Sequence, residues 1–107
     1  MRRGESNEAF WRAAGRLIAE GKVDEGSIMG GPCVRRAGEF VAMPHHKGQG
    51  IVLKLTATRV AELIATAGGE PFAPAGRVFR EWVLMRAEND ELWAALLDEA
   101  CALAARK

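Results

Sequence analysis

His45-His46 supplies the only imidazoles in the chain, which makes the pair the first candidate for proton transfer or metal ligation. Adjacent side chains on an extended segment point to opposite sides, so the two rings diverge. No acidic residue or cysteine lies nearby in sequence to complete a tetrahedral ligand set, and an exposed loop is the expectation for both. Ser27 follows Gly26 but lacks the second glycine of a nucleophile elbow. Cys33 sits beside Val34, and Cys101 lies between Ala100 and Ala102; these apolar contexts predict two buried free thiols. Gly30-Gly31-Pro32 has no following Lys-Ser/Thr, and Gly48-Gln49-Gly50 precedes a β-rich run where a phosphate loop needs a helix. Both read as turns. The acid pairs Asp24-Glu25, Asp90-Glu91 and Asp98-Glu99 fall at helix edges or on wet helix faces. No catalytic, cofactor-binding or metal-ligating set is expected.

Arginine offers more. Arg35, Arg36, Lys54, Arg80 and Arg86 fall on or beside β-rich runs, and together they form a candidate surface for a ligand or nucleic acid. The planar guanidinium binds phosphate or carboxylate in a bidentate manner. Arg35 and Arg36 alternate across a strand, whereas Arg80 and Arg86 share a strand face. Convergence of the five depends on strand order.

The elements that must position these groups follow from periodicity. Ser6 is a plausible N-cap, and Phe10, Ala13, Ala14, Leu17 and Ile18 recur at helical spacing over about residues 7–20, with Gly21 as the stop. From Gly26 short runs alternate with Gly and Pro. Ser27-Ile28-Met29 reaches a bend at Gly30-Gly31-Pro32, and Cys33–Arg36 and Glu39–Met43 flank Ala37-Gly38 as a hairpin. Residues 45–50 form a longer loop into Ile51–Leu55, giving a meander of three or four antiparallel strands. Thr56 or Thr58 caps a second helix striped by Val60, Leu63, Ile64 and Ala67 and ended by Gly68-Gly69. Two prolines and a glycine make residues 70–76 a loop. A strand over residues 79–86 follows, then a helix capped by Asn89 or Asp90, with Leu92, Trp93, Leu96, Leu97, Ala100, Leu103 and Ala104 as its apolar stripe. Trp82 and Trp93 both fall at expected core positions. The order α-β-β-β(-β)-α-β-α predicts an α+β fold: a two-layer sandwich of an antiparallel sheet with helices packed on it.

With 107 residues, the chain is expected to form one domain, residues 1–107, with no second domain. Hydrophobic types reach 49%, but many of them are alanine, so large apolar side chains are fewer than that figure suggests. No apolar run approaches a membrane span, and the polar N-terminus is not followed by a signal core; a soluble, cytoplasmic protein is expected. The net charge of +1 supplies no global field toward nucleic acid or membrane. Its distribution is uneven: basic residues exceed acidic ones over 26–54, and acidic residues dominate 88–107. Such a dipole is commonly neutralised within the fold.

Several landmarks in order resemble the N-terminal domain of the TfoX family, bacterial regulators of competence for DNA uptake. They are Ile28-Met29-Gly30-Gly31-Pro32, Gly38-Glu39-Phe40-Val41-Ala42, Val52-Leu53-Lys54-Leu55, Gly69-Glu70-Pro71-Phe72 with Gly76, Arg80-Glu81-Trp82-Val83, and the helix from Leu92-Trp93 to Ala100. The likeness covers roughly residues 25–105. Ile28-Met29 stands where the family carries Met-Phe, and a second, C-terminal domain of full-length TfoX proteins finds no place in 107 residues. The resemblance implies a two-layer α/β domain of the YjbR type and brings no catalytic residues. The resulting expectation is a non-enzymatic binding or regulatory domain that acts through protein contacts, as a homodimer or with another protein, without a cofactor. DNA binding through the Arg/Lys surface is the alternative.

Overall fold

The computed structural model describes residues 8–45 and 50–106. Its centre is a six-stranded, wholly antiparallel sheet: β1 (Asp24–Ile28), β2 (Gly31–Arg36), β3 (Glu39–Pro44), β4 (Ile51–Lys54), β5 (Glu70–Phe72) and β6 (Phe79–Met85), in the order β1-β2-β3-β4-β6-β5. Three helices, α1 (Glu8–Ala19), α2 (Ala57–Thr66) and α3 (Asp90–Ala105), share one apolar core with one face of that sheet. The fold is therefore α+β in two layers, with the predicted element order.

Local chemistry accounts for most boundaries. Ile28 pairs with Gly31 across Met29-Gly30, and Arg36 pairs with Glu39 across Ala37-Gly38. Each of these two-residue turns holds both central residues at positive φ (53° and 78°, then 51° and 85°), the conformation that matches the twist of a hairpin. Glycine meets this demand without strain, while Met29 and Ala37 meet it at a cost. The β3–β4 hairpin closes where the His45 N–H donates to the Gly50 carbonyl at 3.0 Å. Thr56 caps α2 by accepting from the Arg59 N–H at 3.2 Å, and Asn89 caps α3 by accepting from the Leu92 N–H at 3.0 Å. The expected Ser6 cap lies outside the described residues.

Two features depart from the predicted pattern. Residues 70–72, expected as loop, form the edge strand β5, whose Pro71 pairs in register with Val83. An edge tolerates proline because its missing N–H is not needed by a further strand. The second departure is a bulge: Val34 opposes Ala42, but Arg35 opposes Phe40. Val41 and Ala42 therefore both join the helix-side core, while Phe40 turns to the other face beside Met43.

The helix-side core buries Phe10, Leu17, Leu53, Leu63, Val83, Trp93, Leu96 and Leu97. Gly69 is buried where α2 ends against β6, and a Cβ there would lie 2.9 Å from Val83 Cγ2 and 3.1 Å from the Leu63 carbonyl carbon. The absent side chain lets the helix end approach the sheet this closely. Among the described residues, no helix is long and apolar enough to cross a membrane.

Candidate functional site

The face of the sheet turned away from the helices carries a second apolar cluster to which no helix contributes. Cys33, Phe40, Met43, Val52, Phe72 and Leu84 are buried in it, and Ile28, Phe79 and Trp82 pack half-buried against them. Its centre is a ring array. Trp82 on β6 stacks on Phe40 with centroids 4.2 Å apart and planes 11° off parallel, and on Phe72 at 5.6 Å and 17°. Phe40 comes from the β3 side and Phe72 from the β5 side, so the indole is held between them. Phe79 meets both Phe72 and Trp82 edge-on, at 5.9 and 5.1 Å. These pairings hide the ring faces from solvent, which explains how Phe40 and Phe72 are buried on a face without helices.

Beside the array, where β4 gives way to α2, an open groove of about 490 Å³ is lined by Ala57, Arg77, Val78, Phe79, Arg80, Glu81 and Trp82. Val78 is 57% exposed, the largest exposure of the big apolar side chains among the described residues. Arg77 and Arg80 make no ion pair or side-chain hydrogen bond among the described residues.

The five basic residues selected from sequence do not gather. Arg35 lies over Gly26 and donates to two carbonyls, Gly38 at 2.9 Å and Ser27 at 3.0 Å, so it ties the two hairpins together. Arg36, alternating to the helix side as expected, donates to Cys101 Sγ at 3.0 Å. Lys54 ends β4 opposite Trp82 and borders a recess with Glu39 and the C-terminal part of α3. Arg80 lines the groove. Arg86 stands beyond the other end of β6 and binds Glu70 bidentately, both contacts at 3.0 Å. That contact is the main reason the Glu70 carboxyl is held below its usual 4.5, with His45 adding a smaller effect of the same sign. Six residues of extended strand, ~20 Å, separate Arg80 from Arg86, so the two do not contact one ligand group.

The acidic C-terminal stretch is neutralised inside the fold. Arg12 donates to Glu88 at 2.6 Å and Arg16 to Asp98 at 3.1 Å, which joins α1 to α3 and its approach. Arg59 binds both oxygens of Glu99 at 3.0 Å and also Glu62, so its guanidinium pKa is raised chiefly by the Glu99 hydrogen bonds. Apart from Glu62, three residues from Arg59 on the same helix, these partners lie far apart in the chain, and sequence spacing gave no sign of them.

Both cysteines are buried free thiols, as expected. Burial pushes the Cys33 thiol up, against a smaller opposing effect of Arg35. His45 lies half-buried in a cleft with Glu70 and Arg86, and His46 lies outside the described residues. No group of three His, Cys, Asp or Glu side chains among the described residues is placed to hold a metal ion. The ring array and the exposure of Val78 escaped sequence reading. The signal available was the alternation Arg80-Trp82-Leu84. In comparisons with known proteins, the chain matches no family model, no curated protein and no solved structure.

Proposed function

We infer that this chain is a small non-enzymatic binding domain that works through protein contacts, on the helix-free side of its sheet. One observation carries this reading: the second apolar cluster leaves Trp82 and Phe79 half-buried beside an exposed Val78. An apolar rim next to polar groups is the usual form of a protein contact surface. The resemblance to the TfoX N-terminal domain belongs to the same proposal, as does a cytoplasmic location, which suits two reduced thiols.

DNA is the second reading, favoured by Lys54 and Arg80, which have no ion-pair partner among the described residues. Against it stands the ring array, whose internally stacked faces offer no platform for bases. The neutral overall charge supplies no attraction to a polyanion.

The test uses Val78→Asp, which leaves both cores untouched. Sedimentation across a wide concentration range should show self-association, or tagged protein should capture a partner, and the variant should abolish whichever occurs. A strict monomer that captures nothing lost by the variant overturns the reading. Duplex DNA binding that weakens steeply with salt and survives Val78→Asp would establish the alternative.

A further inference from the structure

The charges of the described residues divide sharply into used and unused. Arg12, Arg16, Arg59 and Arg86 are in ion pairs with carboxylates, and Lys22 pairs with Glu20. Arg35 and Arg36 are spent on carbonyls and a sulfur. The cations left without a partner among the described residues are Lys54, Arg77, Arg80 and Arg106. All four border one place, the junction from β4 into α2. Lys54 is the last residue of β4, Arg77 and Arg80 line the groove that Ala57 closes, and Arg106 lines a recess with Leu55 and Thr56.

Within the groove the charges are not mixed evenly. Arg77 and Arg80 line it against one carboxylate among the described residues, Glu81. The groove beside Trp82 and Val78 therefore carries an excess of guanidinium over carboxylate. The first turn of α2 behind it adds no acidic residue.

We propose that this groove docks an acidic segment of a partner protein that carries bulky apolar side chains. The proposal rests on the protein-contact reading above and adds the chemistry of the partner. Val78, Phe79 and the edge of Trp82 take the apolar anchors, while Arg77 and Arg80 pair with flanking carboxylates. The apolar side chains of the groove, Val78, Phe79 and Trp82, are of no use to a phosphate backbone. The two guanidiniums are also too few for a duplex, whose affinity rests on many phosphate contacts.

The probe is a fluorescein-labelled peptide of alternating Glu and Leu, followed by anisotropy against the whole chain. Matched peptides of Gln and Leu and of Lys and Leu, and a labelled DNA duplex, serve as comparisons. The Glu/Leu peptide should bind saturably, more tightly than either matched peptide, and weaken as salt is raised. The double variant Arg77→Glu/Arg80→Glu should lower its affinity ~tenfold or more, the loss expected for charge-assisted bonds. Both arginines are exposed, so the variant should keep the wild-type melting temperature. No binding of the Glu/Leu peptide, or binding that the double variant leaves intact, overturns the proposal. So does a duplex that displaces the peptide and itself depends on Arg77 and Arg80. If Val78→Asp abolishes self-association or partner capture while the peptide fails to bind, the protein-contact reading stands and the acidic partner falls.

Discussion

Trp93, in the first turn of α3, is 1% exposed within the helix-side core, whereas Trp82 on the opposite face is half-buried between Phe40 and Phe72. Both rings anchor apolar clusters, but the clusters are built differently. The helix-side cluster is closed by elements distant in sequence, and every large side chain in it has neighbours on all sides. Among the described residues the helix-free cluster is built from strand residues alone, with its rings packed on one another. Half-buried aromatics beside an exposed Val78 are the feature on which the proposed contact surface rests.

The comparison is tested most strongly by truncating the two indoles. Trp93→Ala should cost ~3–5 kcal/mol, because it opens a cavity that the packed helices cannot fill. Trp82→Ala should cost ~1–2 kcal/mol, because part of its surface already meets water. Denaturant melts of both variants give the two numbers, and equal losses would mean that the ring array is a structural core like the other.

Gly69→Ala tests how tightly the helix layer is seated. Its new Cβ would press on Val83 and on the α2 backbone, so a loss of ~1–3 kcal/mol is expected, with the helix-free face unaffected. Near-ultraviolet circular dichroism, to which the stacked Trp82 contributes, should be preserved while the thermal midpoint falls.

A smaller gain is expected from Ala37→Gly. It relieves the positive φ of the turn that leads into the β3 bulge and should stabilise the chain by ~0.5–1 kcal/mol, the left-handed cost less the entropy of glycine. A matching midpoint rise with unchanged near-ultraviolet dichroism would confirm that the turn, and not the rings, was altered.

The smallest effect belongs to Glu70. Its folded pKa lies below the ordinary 4.5, so the Arg86 pair contributes fully above that value, and its contribution is lost as pH falls through the lowered one. In Glu70→Gln the acid limb of a stability–pH profile should flatten slightly, while stability between neutral and mildly alkaline pH shows no new slope. The pair is exposed to solvent, so raising the salt concentration should shrink the difference further.

Much of the architecture is carried by local signals. Helical spacing in residues 8–19, 57–66 and 90–105, the Thr56 and Asn89 caps, and the glycines at Gly21, Gly30, Gly38 and Gly68 mark nearly every boundary, because each rests on the backbone preferences of a few neighbouring residues. The burial of both thiols follows equally from their apolar neighbours. Other features depend on which segments meet. Strand β5 contradicts its proline-rich sequence because an edge position on β6 makes the missing N–H harmless. The β3 bulge moves Phe40 across the sheet, and the order β1-β2-β3-β4-β6-β5 carries Trp82 to it. Arg12, Arg16, Arg59 and Arg86 find their carboxylates only in the folded chain, so no local pattern reveals which cations are consumed. The composition and periodicity of the chain thus determined a two-layer α+β fold with buried cysteines. Only the tertiary structure decided that the basic residues scatter, that Arg77 and Arg80 find no ion-pair partner among the described residues, and that four aromatic rings meet on the helix-free face. Pairing between residues distant in the chain depends on strand order and register, which are set by packing across the whole sheet.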